Sequence, residues 1–184
     1  MTIQQFLRSL KMIRALRTYV TAEHFDLRAV IGHKDDRSPV TKSEIRALRN
    51  RNPSCGTVAC AIGWTTAIFP NLVKVYLFHL ELKDHGRWYS ARYELVAEEL
   101  FGMNSSKAIS LFSGSNQDTN LMYGMNAVDV RPSQVADAMQ NWLYSNPQAR
   151  RYMYAYRMLK FLAVAIMVTA ALASLTLMIK FSMP

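Results

Sequence analysis

The side chains best suited to chemistry lie around the two cysteines of the chain, Cys55 and Cys60. A thiol attacks as the thiolate, and Cys55 comes just before a predicted helix whose positive N-terminal end favours that form. His24 or His33 could act as the base, with Asp26 as the residue that orients it. The sequence therefore leaves a cysteine enzyme open, provided that the fold brings these side chains together.

The same cysteines could instead contribute to a zinc site. Four residues separate them, which is within the spacing of zinc fingers, although no second pair of matching spacing follows. The remaining ligands would be two of the histidines His24, His33, His79 and His85. A disulfide between Cys55 and Cys60 is disfavoured, because they are five residues apart and one is expected in a helix. We favour packing, with Cys60 buried among small residues.

The elements that would position these residues are mostly helical. Apolar spacing predicts a first helix over residues 3–20. Its predicted core face comprises Ile3, Phe6, Leu7, Leu10, Ile13, Leu16 and Val20. A capping-box sequence that starts at Thr41 predicts a short helix to about Asn50. Residues 57–69 are predicted to form a buried helix, with Thr57 as its cap.

Further helices and one short hairpin are predicted downstream. A turn signal within residues 72–90 is compatible with a β-hairpin. Gly102 and Gly114 are expected to end two helices, and residues 115–130 are expected to form a polar loop. The helices are predicted over residues 91–101, 105–113 and 132–144. The fold class is thus mainly α, with a helical domain over residues 1–146.

The strongest signal in the sequence is an apolar segment near the C-terminus. Residues 161–179 contain no charged side chain. A hydrocarbon core about 30 Å thick needs about 20 helical residues, and a helix satisfies its own backbone polar groups in lipid. We therefore predict a transmembrane helix over residues 161–181, with Lys180 extending toward the headgroups.

This helix is expected to begin before the membrane, as a basic juxtamembrane helix over residues 147–160. Ser145 or Asn146 would cap it, and Pro147 suits its first turn. Its cations are Arg150, Arg151, Arg157 and Lys160. They are expected to lie on anionic headgroups, and the positive-inside rule then places the N-terminal domain in the cytoplasm. Without an N-terminal signal peptide, we expect a single-pass, tail-anchored protein of the inner membrane.

Small residues inside the predicted span suggest what it contacts. Ala165, Thr169 and Ala173 recur every four residues, a spacing that lets two transmembrane helices pack closely. The expected partners are therefore the lipid bilayer, a membrane or membrane-associated protein, and a second copy of the chain. The net charge of +9 would also suit nucleic acid, but few aromatic residues accompany the basic N-terminal helices, so nucleic acid ranks last.

Several short segments between residues 20 and 115 form a pattern. They are Phe25-Asp26-Leu27, Cys55-Gly56-Thr57-Val58-Ala59-Cys60-Ala61-Ile62-Gly63-Trp64, Ala97-Glu98-Glu99-Leu100-Phe101-Gly102 and Leu111-Phe112. This pattern resembles that of a group of small proteins from bacteriophages, prophages and some bacteria: F-D-[LM], C-G-T-x-x-C-x-x-G, a helix ending L-[FLG]-G, and an L-F pair. The resemblance implies a phage-type protein but no reaction, because the group has no assigned activity. The apolar C-terminal segment is not part of the pattern.

The favoured function is a non-enzymatic interaction at a membrane. A phage-type protein of this kind would bind a protein partner or membrane complex, in host modulation, assembly, entry or lysis, and would be associated with the inner membrane or the virion. The alternatives are a membrane-associated enzyme that uses Cys55, and a membrane tether for nucleic acid. No Gly-rich phosphate loop, H-E-x-x-H or G-x-S-x-G motif occurs, so no enzyme activity, cofactor or metal is expected.

Overall fold

The computed structural model describes residues 1–26, 32–33, 57–76, 79–113, 116–127 and 129–182. The α-helices in these ranges are α1 (Ile3–Thr18), α2 (Ala61–Ile68), α3 (Tyr93–Phe101), α4 (Ser105–Phe112), α5 (Asn116–Tyr123), α6 (Pro132–Ser145) and α7 (Pro147–Ser182), and a short 3-10 helix spans Ala22–His24. The strands are β1 (Gly32–His33), β2 (Thr57–Val58), β3 (Val73–Tyr76), β4 (His79–Asp84) and β5 (Arg87–Ala91). The mainly α fold class is confirmed. The chain divides into two compact units, Met1–Leu143 and Tyr144–Pro184.

Helix α1 is held by a capping box at its N-terminus. The Thr2 hydroxyl accepts a hydrogen bond from the Gln5 backbone N–H at 3.2 Å, and the Gln5 side chain accepts one from the Thr2 N–H at 2.7 Å. Two of the four free N–H groups of the first turn region are thereby satisfied. The Gln5 amide also donates to the Glu98 carbonyl of α3 at 3.1 Å, which fixes α1 against the end of that helix.

The predicted core face of α1 is only partly correct. Its buried residues are Phe6, Ser9, Met12, Ile13, Ala15 and Leu16. The spacing of Ile3 and Leu7 predicts that they lie in the core, but they are 56% and 46% exposed. Apolar residues lie on two sides of this helix, and the core takes the side that carries Met12 and Leu16. Periodicity alone does not distinguish one side from the other.

The predicted helix over residues 57–69 is wrong in its first turn. Thr57 and Val58 form strand β2, which pairs antiparallel with β1, and Ala59 forms a parallel bridge with Phe25. The β-branched side chains of Thr57 and Val58 suit an extended backbone. The helix begins at Ala61, and its cap is Cys60 rather than Thr57.

Strands β3, β4 and β5 form an antiparallel sheet in sequence order. Asp84 pairs with Arg87, which leaves His85 and Gly86 as a two-residue turn. Both turn residues have positive φ, 44° and 85°, as a tight hairpin that follows the sheet twist requires. The predicted hairpin is confirmed, and β3 adds a third strand. One face of the sheet is buried through Val73, Leu80, Leu82 and Ala91.

The remaining helices complete the N-terminal unit. Gly102 ends α3 with φ 71°, as predicted, and α6 begins at Pro132 as predicted. Ser113 is the C-cap of α4, while Gly114 and the capping-box helix predicted from Thr41 lie outside the described residues. The loop predicted over residues 115–130 is wrong in its first half, because α5 occupies it.

A hydrogen bond ties α5 to the helix before it. The Tyr123 hydroxyl donates to the Leu111 carbonyl at 2.8 Å, and burial raises the pKa of this phenol above its ordinary value. An aromatic side chain thus fixes a segment whose polar composition suggested a loop. The core that these helices share with the sheet includes the fully buried side chains Phe6, Trp64, Phe101, Leu111 and Met139.

Candidate functional site

Helix α7 begins at a defined cap. The Asn146 side-chain oxygen accepts hydrogen bonds from the backbone N–H groups of Gln148 and Ala149, at 3.0 and 3.1 Å. Pro147 occupies the first helical position, where its missing N–H costs nothing. Of the two caps predicted, Asn146 is therefore the one used. The helix runs 36 residues to Ser182 without a break, which corresponds to about 54 Å.

This helix is long and apolar enough to cross a membrane. Within Pro147–Leu172 an 18-residue window has a mean hydropathy of 1.6, and none of that window is buried inside the protein. The exposed apolar side chains in its second half are Phe161, Leu162, Val164, Ile166, Met167, Val168 and Leu172. The soluble alternative to a membrane span is a core helix, which would be covered by the rest of the chain. Residues 161–172 are exposed throughout.

Two hydroxyl groups inside the apolar segment, those of Thr169 and Ser174, are satisfied by the helix itself. Thr169 donates to the carbonyls of Ala165 and Ile166, at 3.1 and 2.9 Å. Ser174 donates to the carbonyl of Ala170 at 2.9 Å. Such bonds remove the cost of placing a free hydroxyl in hydrocarbon. The predicted small-residue stripe is exposed at Ala165 and Thr169, while the side chain of Ala173 is outside the part of the chain that the structure describes.

A basic collar precedes the apolar segment. It consists of Arg150, Arg151, Arg157 and Lys160, all of them exposed. Arg157 donates to the Tyr144 hydroxyl at 3.4 Å, and the Lys160 ammonium lies 4.8 Å from the centre of the Tyr156 ring. Tyrosine and long cationic side chains are the residues that suit the headgroup zone, because each has an apolar body and a polar tip. The collar and the apolar segment together form the candidate membrane site.

The cysteine that the structure describes is a structural one. Cys60 is 3% exposed, and its sulfur accepts a hydrogen bond from the Gly63 N–H at 3.4 Å, which caps α2. Burial raises the pKa of the Cys60 thiol to about 11, with the nearby Asp26 charge as a smaller contribution. The thiol is therefore protonated at neutral pH and is a poor nucleophile. This agrees with the packing interpretation for Cys60.

The structure brings Asp26 and the backbone of His24 to the cysteine segment. The His24 carbonyl accepts from the Ala59 N–H at 3.1 Å and from the Trp64 indole N–H at 3.3 Å. Asp26 is 8% exposed and donates its backbone N–H to the Ala59 carbonyl at 3.4 Å. Two segments of the resemblance pattern, around Phe25 and around Cys60, are thus adjacent in space.

The nucleophile and zinc hypotheses stay predictions. The side chains of Cys55, His33 and His79 lie outside the described residues, and His85 occupies the turn between β4 and β5. Among the residues that the structure describes, no group of three or more His, Cys, Asp or Glu side chains is placed to hold a metal ion.

One surface feature was missed by the sequence analysis. An open cleft of about 320 Å³ lies where α1, α3 and the sheet meet, with Gln5, Arg8, Leu82, Tyr89 and Leu100 among its lining residues. These residues are distant in sequence, and no local pattern joins them, so no sequence signal could have indicated the cleft.

Comparisons with protein-family models, with curated protein sequences and with solved structures found no match to this chain. What the chain itself presents is an exposed apolar helix behind a basic collar. The N-terminal unit is separate and compact, and its described cysteine serves as a buried helix cap.

Proposed function

We propose that this chain is a single-pass protein of the cytoplasmic membrane, and that its N-terminal unit binds a protein partner or membrane complex on the cytoplasmic side. The observation that carries the proposal is the exposure of α7 over residues 161–172, where apolar side chains cover the helix on every side. Soluble monomers rarely expose a contiguous apolar surface of more than a few hundred Å². Lipid covers such a surface without requiring a partner protein.

The charges on either side of the apolar segment support the orientation. The basic collar of four cations precedes the segment, and Lys180 alone follows it among residues 161–182. Cationic flanks are retained on the cytoplasmic side during insertion. This asymmetry supports a cytoplasmic position for the N-terminal unit, which precedes the collar in the chain.

The interaction role is supported by the compact N-terminal unit that α7 would hold at the membrane. A membrane anchor confines the unit to a surface and raises its effective concentration for partners in the same membrane. The phage-type role, in host modulation, assembly, entry or lysis, is supported by the resemblance of the segments around Phe25, Cys60 and Gly102 to the phage and prophage group. Cys60 serves in α2 as a cap, which is a structural use of the thiol.

Reporter fusions test the orientation. One strain carries a fluorescent protein, which folds only in the cytoplasm, fused to the N-terminus of the chain. A matched strain carries at the same position an alkaline phosphatase, which is active only outside the cytoplasm. We expect fluorescence from the first and no phosphatase activity from the second. A variant with Arg150, Arg151, Arg157 and Lys160 replaced by Gln should lose this bias. Active phosphatase at the N-terminus of the unchanged protein would contradict the proposal.

Cross-linking in intact membranes tests the interaction. We expect at least one membrane protein to cross-link to the full chain and to be lost in the Phe101→Ala variant, since truncation of this buried ring costs about 3–5 kcal/mol. The surface variant Leu121→Ala should keep the cross-link, and so should a chain whose residues 161–181 are replaced by an unrelated apolar span. A set of cross-links that Phe101→Ala leaves unchanged would show that the N-terminal unit is not the binding element.

A further inference from the structure

Helix α1 carries apolar residues on the side that faces away from the core. The core side holds Phe6, Met12 and Leu16. On the opposite side Ile3 is 56% exposed and Leu7 is 46% exposed, and Leu10 is half-buried. At about 100° per residue, positions 3, 7, 10 and 14 fall within about 60° of one another around the helix. The helix therefore has a second apolar stripe, and its members Ile3 and Leu7 are exposed in the described structure.

The same side of α1 is basic toward its C-terminal end. The helix contains no acidic residue. Arg14 lies exposed within the second stripe, and Lys11 and Arg17 flank it. The Lys11 ammonium is held by the protein itself, because it donates to the backbone carbonyl of Ile68 at 3.0 Å and lies 5.2 Å from the centre of the Phe69 ring. Arg17 is paired with Asp137 at 2.6 Å and contributes less net charge.

We propose that this side of α1, defined by Ile3, Leu7, Leu10 and Arg14 and named the α1 face, docks the N-terminal unit on the anionic surface of a lipid bilayer. Helices that lie in the membrane interface combine apolar side chains, which enter the boundary below the headgroups, with Lys and Arg, which contact anionic lipid. The α1 face has both, without an acidic residue that would oppose a negative surface.

A bilayer is favoured over a protein partner by the rest of the chain. The inference rests on the proposed membrane attachment through α7, which keeps the unit at a lipid surface at high effective concentration. A helix with weak affinity for the membrane interface is then sufficient to dock the unit, because docking occurs within a molecule that is already attached to the membrane. The basic collar of α7 requires the same anionic headgroups, so one lipid composition serves both elements.

Photo-cross-linking in nanodiscs tests the α1 face. Full-length protein with a photoreactive amino acid at position 7 is reconstituted into discs that contain anionic lipid, and lipid adducts are measured by mass spectrometry. The matched control has the same amino acid at position 121, because Leu121 is 83% exposed on α5. We expect lipid adducts mainly at position 7, and fewer in purely zwitterionic discs. Arg14→Gln should lower the docking equilibrium about fivefold, the effect of one cation near an anionic surface, and the adduct yield by up to that factor.

Two results would overturn the inference, and they differ in what else they affect. The first is found in discs that retain the chain: either equal lipid-adduct yields at positions 7 and 121, or adducts at position 7 with protein rather than lipid. This result would refute the docking of the α1 face and leave the membrane attachment intact. A chain that does not remain with the discs on a density gradient would refute the proposed attachment, and the α1 face with it.

Discussion

Two aspartates placed in the middle of α7 should release the protein from the membrane. Ile166 and Ala170 lie one helical turn apart in the apolar segment, and both are exposed. Because no part of the apolar window is buried inside the protein, an aspartate there would face lipid directly. The double variant Ile166→Asp and Ala170→Asp therefore changes the medium around the helix and removes no contact from the N-terminal unit.

The expected magnitude follows from the side chains of the span. Residues 161–181 contain ten Leu, Ile, Val or Phe side chains, each worth about 0.3–0.6 kcal/mol on insertion, so together about 3–6 kcal/mol. An aspartate near the helix centre costs about 2.5–3.5 kcal/mol. Two aspartates, together with the lost Ile166 side chain, then cost about 5–8 kcal/mol. At the centres of these ranges the cost of about 6.5 kcal/mol exceeds the gain of about 4.5 kcal/mol, so insertion of the double variant becomes unfavourable.

The assay is a carbonate wash of membranes followed by flotation on a density gradient. We expect the unchanged protein to float with lipid and the double variant to stay in the soluble fractions. The matched control is Asn120→Asp and Leu121→Asp, which adds the same two negative charges at exposed positions of α5. The control should float like the unchanged protein. Flotation of the Ile166 and Ala170 variant with lipid would refute the assignment of α7 as a membrane helix.

Three further predictions concern the N-terminal unit. Burial raises the pKa of Cys60 to about 11 from an ordinary 9.0, so the folded state favours the neutral thiol. The contribution of this thiol to the free energy of unfolding, about 2–3 kcal/mol, is complete below pH 9 and is lost as the pH rises through 11. Denaturant unfolding as a function of pH should show this loss relative to Cys60→Ser. Gly102→Ala should lower the free energy of unfolding by about 1–3 kcal/mol, which is more than the loss expected for Gly86→Ala. Both glycines have positive φ, but of the two only Gly102 would bring a Cβ against the Gln5 side chain, at 2.8 Å. A thiol reagent at neutral pH should label Cys60 only after unfolding, because the thiol is buried and protonated.

Each of these has an outcome that would contradict it. Equal pH profiles for Cys60→Ser and the unchanged protein would show that the thiol does not titrate in the folded state as described. Equal losses at Gly102 and Gly86 would show that the Gln5 contact is unimportant. Rapid labelling of Cys60 would contradict its burial, whereas rapid labelling of Cys55 alone would favour the cysteine-enzyme alternative.

The helices that the sequence predicted correctly are those with local signals at their ends. Pro132 and Pro147 begin α6 and α7, Asn146 caps α7, and Gly102 ends α3 with positive φ. Each signal acts within one turn of the residue that carries it, so a short stretch of sequence contains all the necessary information. The long apolar helix is predictable for a similar reason, since its composition is predominantly apolar, without a charged residue, over residues 161–179.

The errors occurred where a distant segment decides the structure. Thr57 and Val58 pair with a strand about 25 residues upstream, so the helix starts at Ala61 instead of Thr57. On α1, tertiary packing selected the side with Met12 over the side with Ile3. The chemistry proposed around Cys55 depends on the same kind of long-range proximity, and composition and spacing do not supply it.

The internal hydrogen bonds of Thr169 and Ser174 determine how the span could recognise another helix. With both hydroxyls already bound to carbonyls one turn earlier, neither is required to bridge to a neighbour. Any pairing through Ala165 and Thr169 would then depend on the shallow contour left by small side chains and on close backbone approach. Such pairing is selective for shape and indifferent to polarity: at position 169 valine, which has nearly the outline of threonine, would be accepted, and leucine would not.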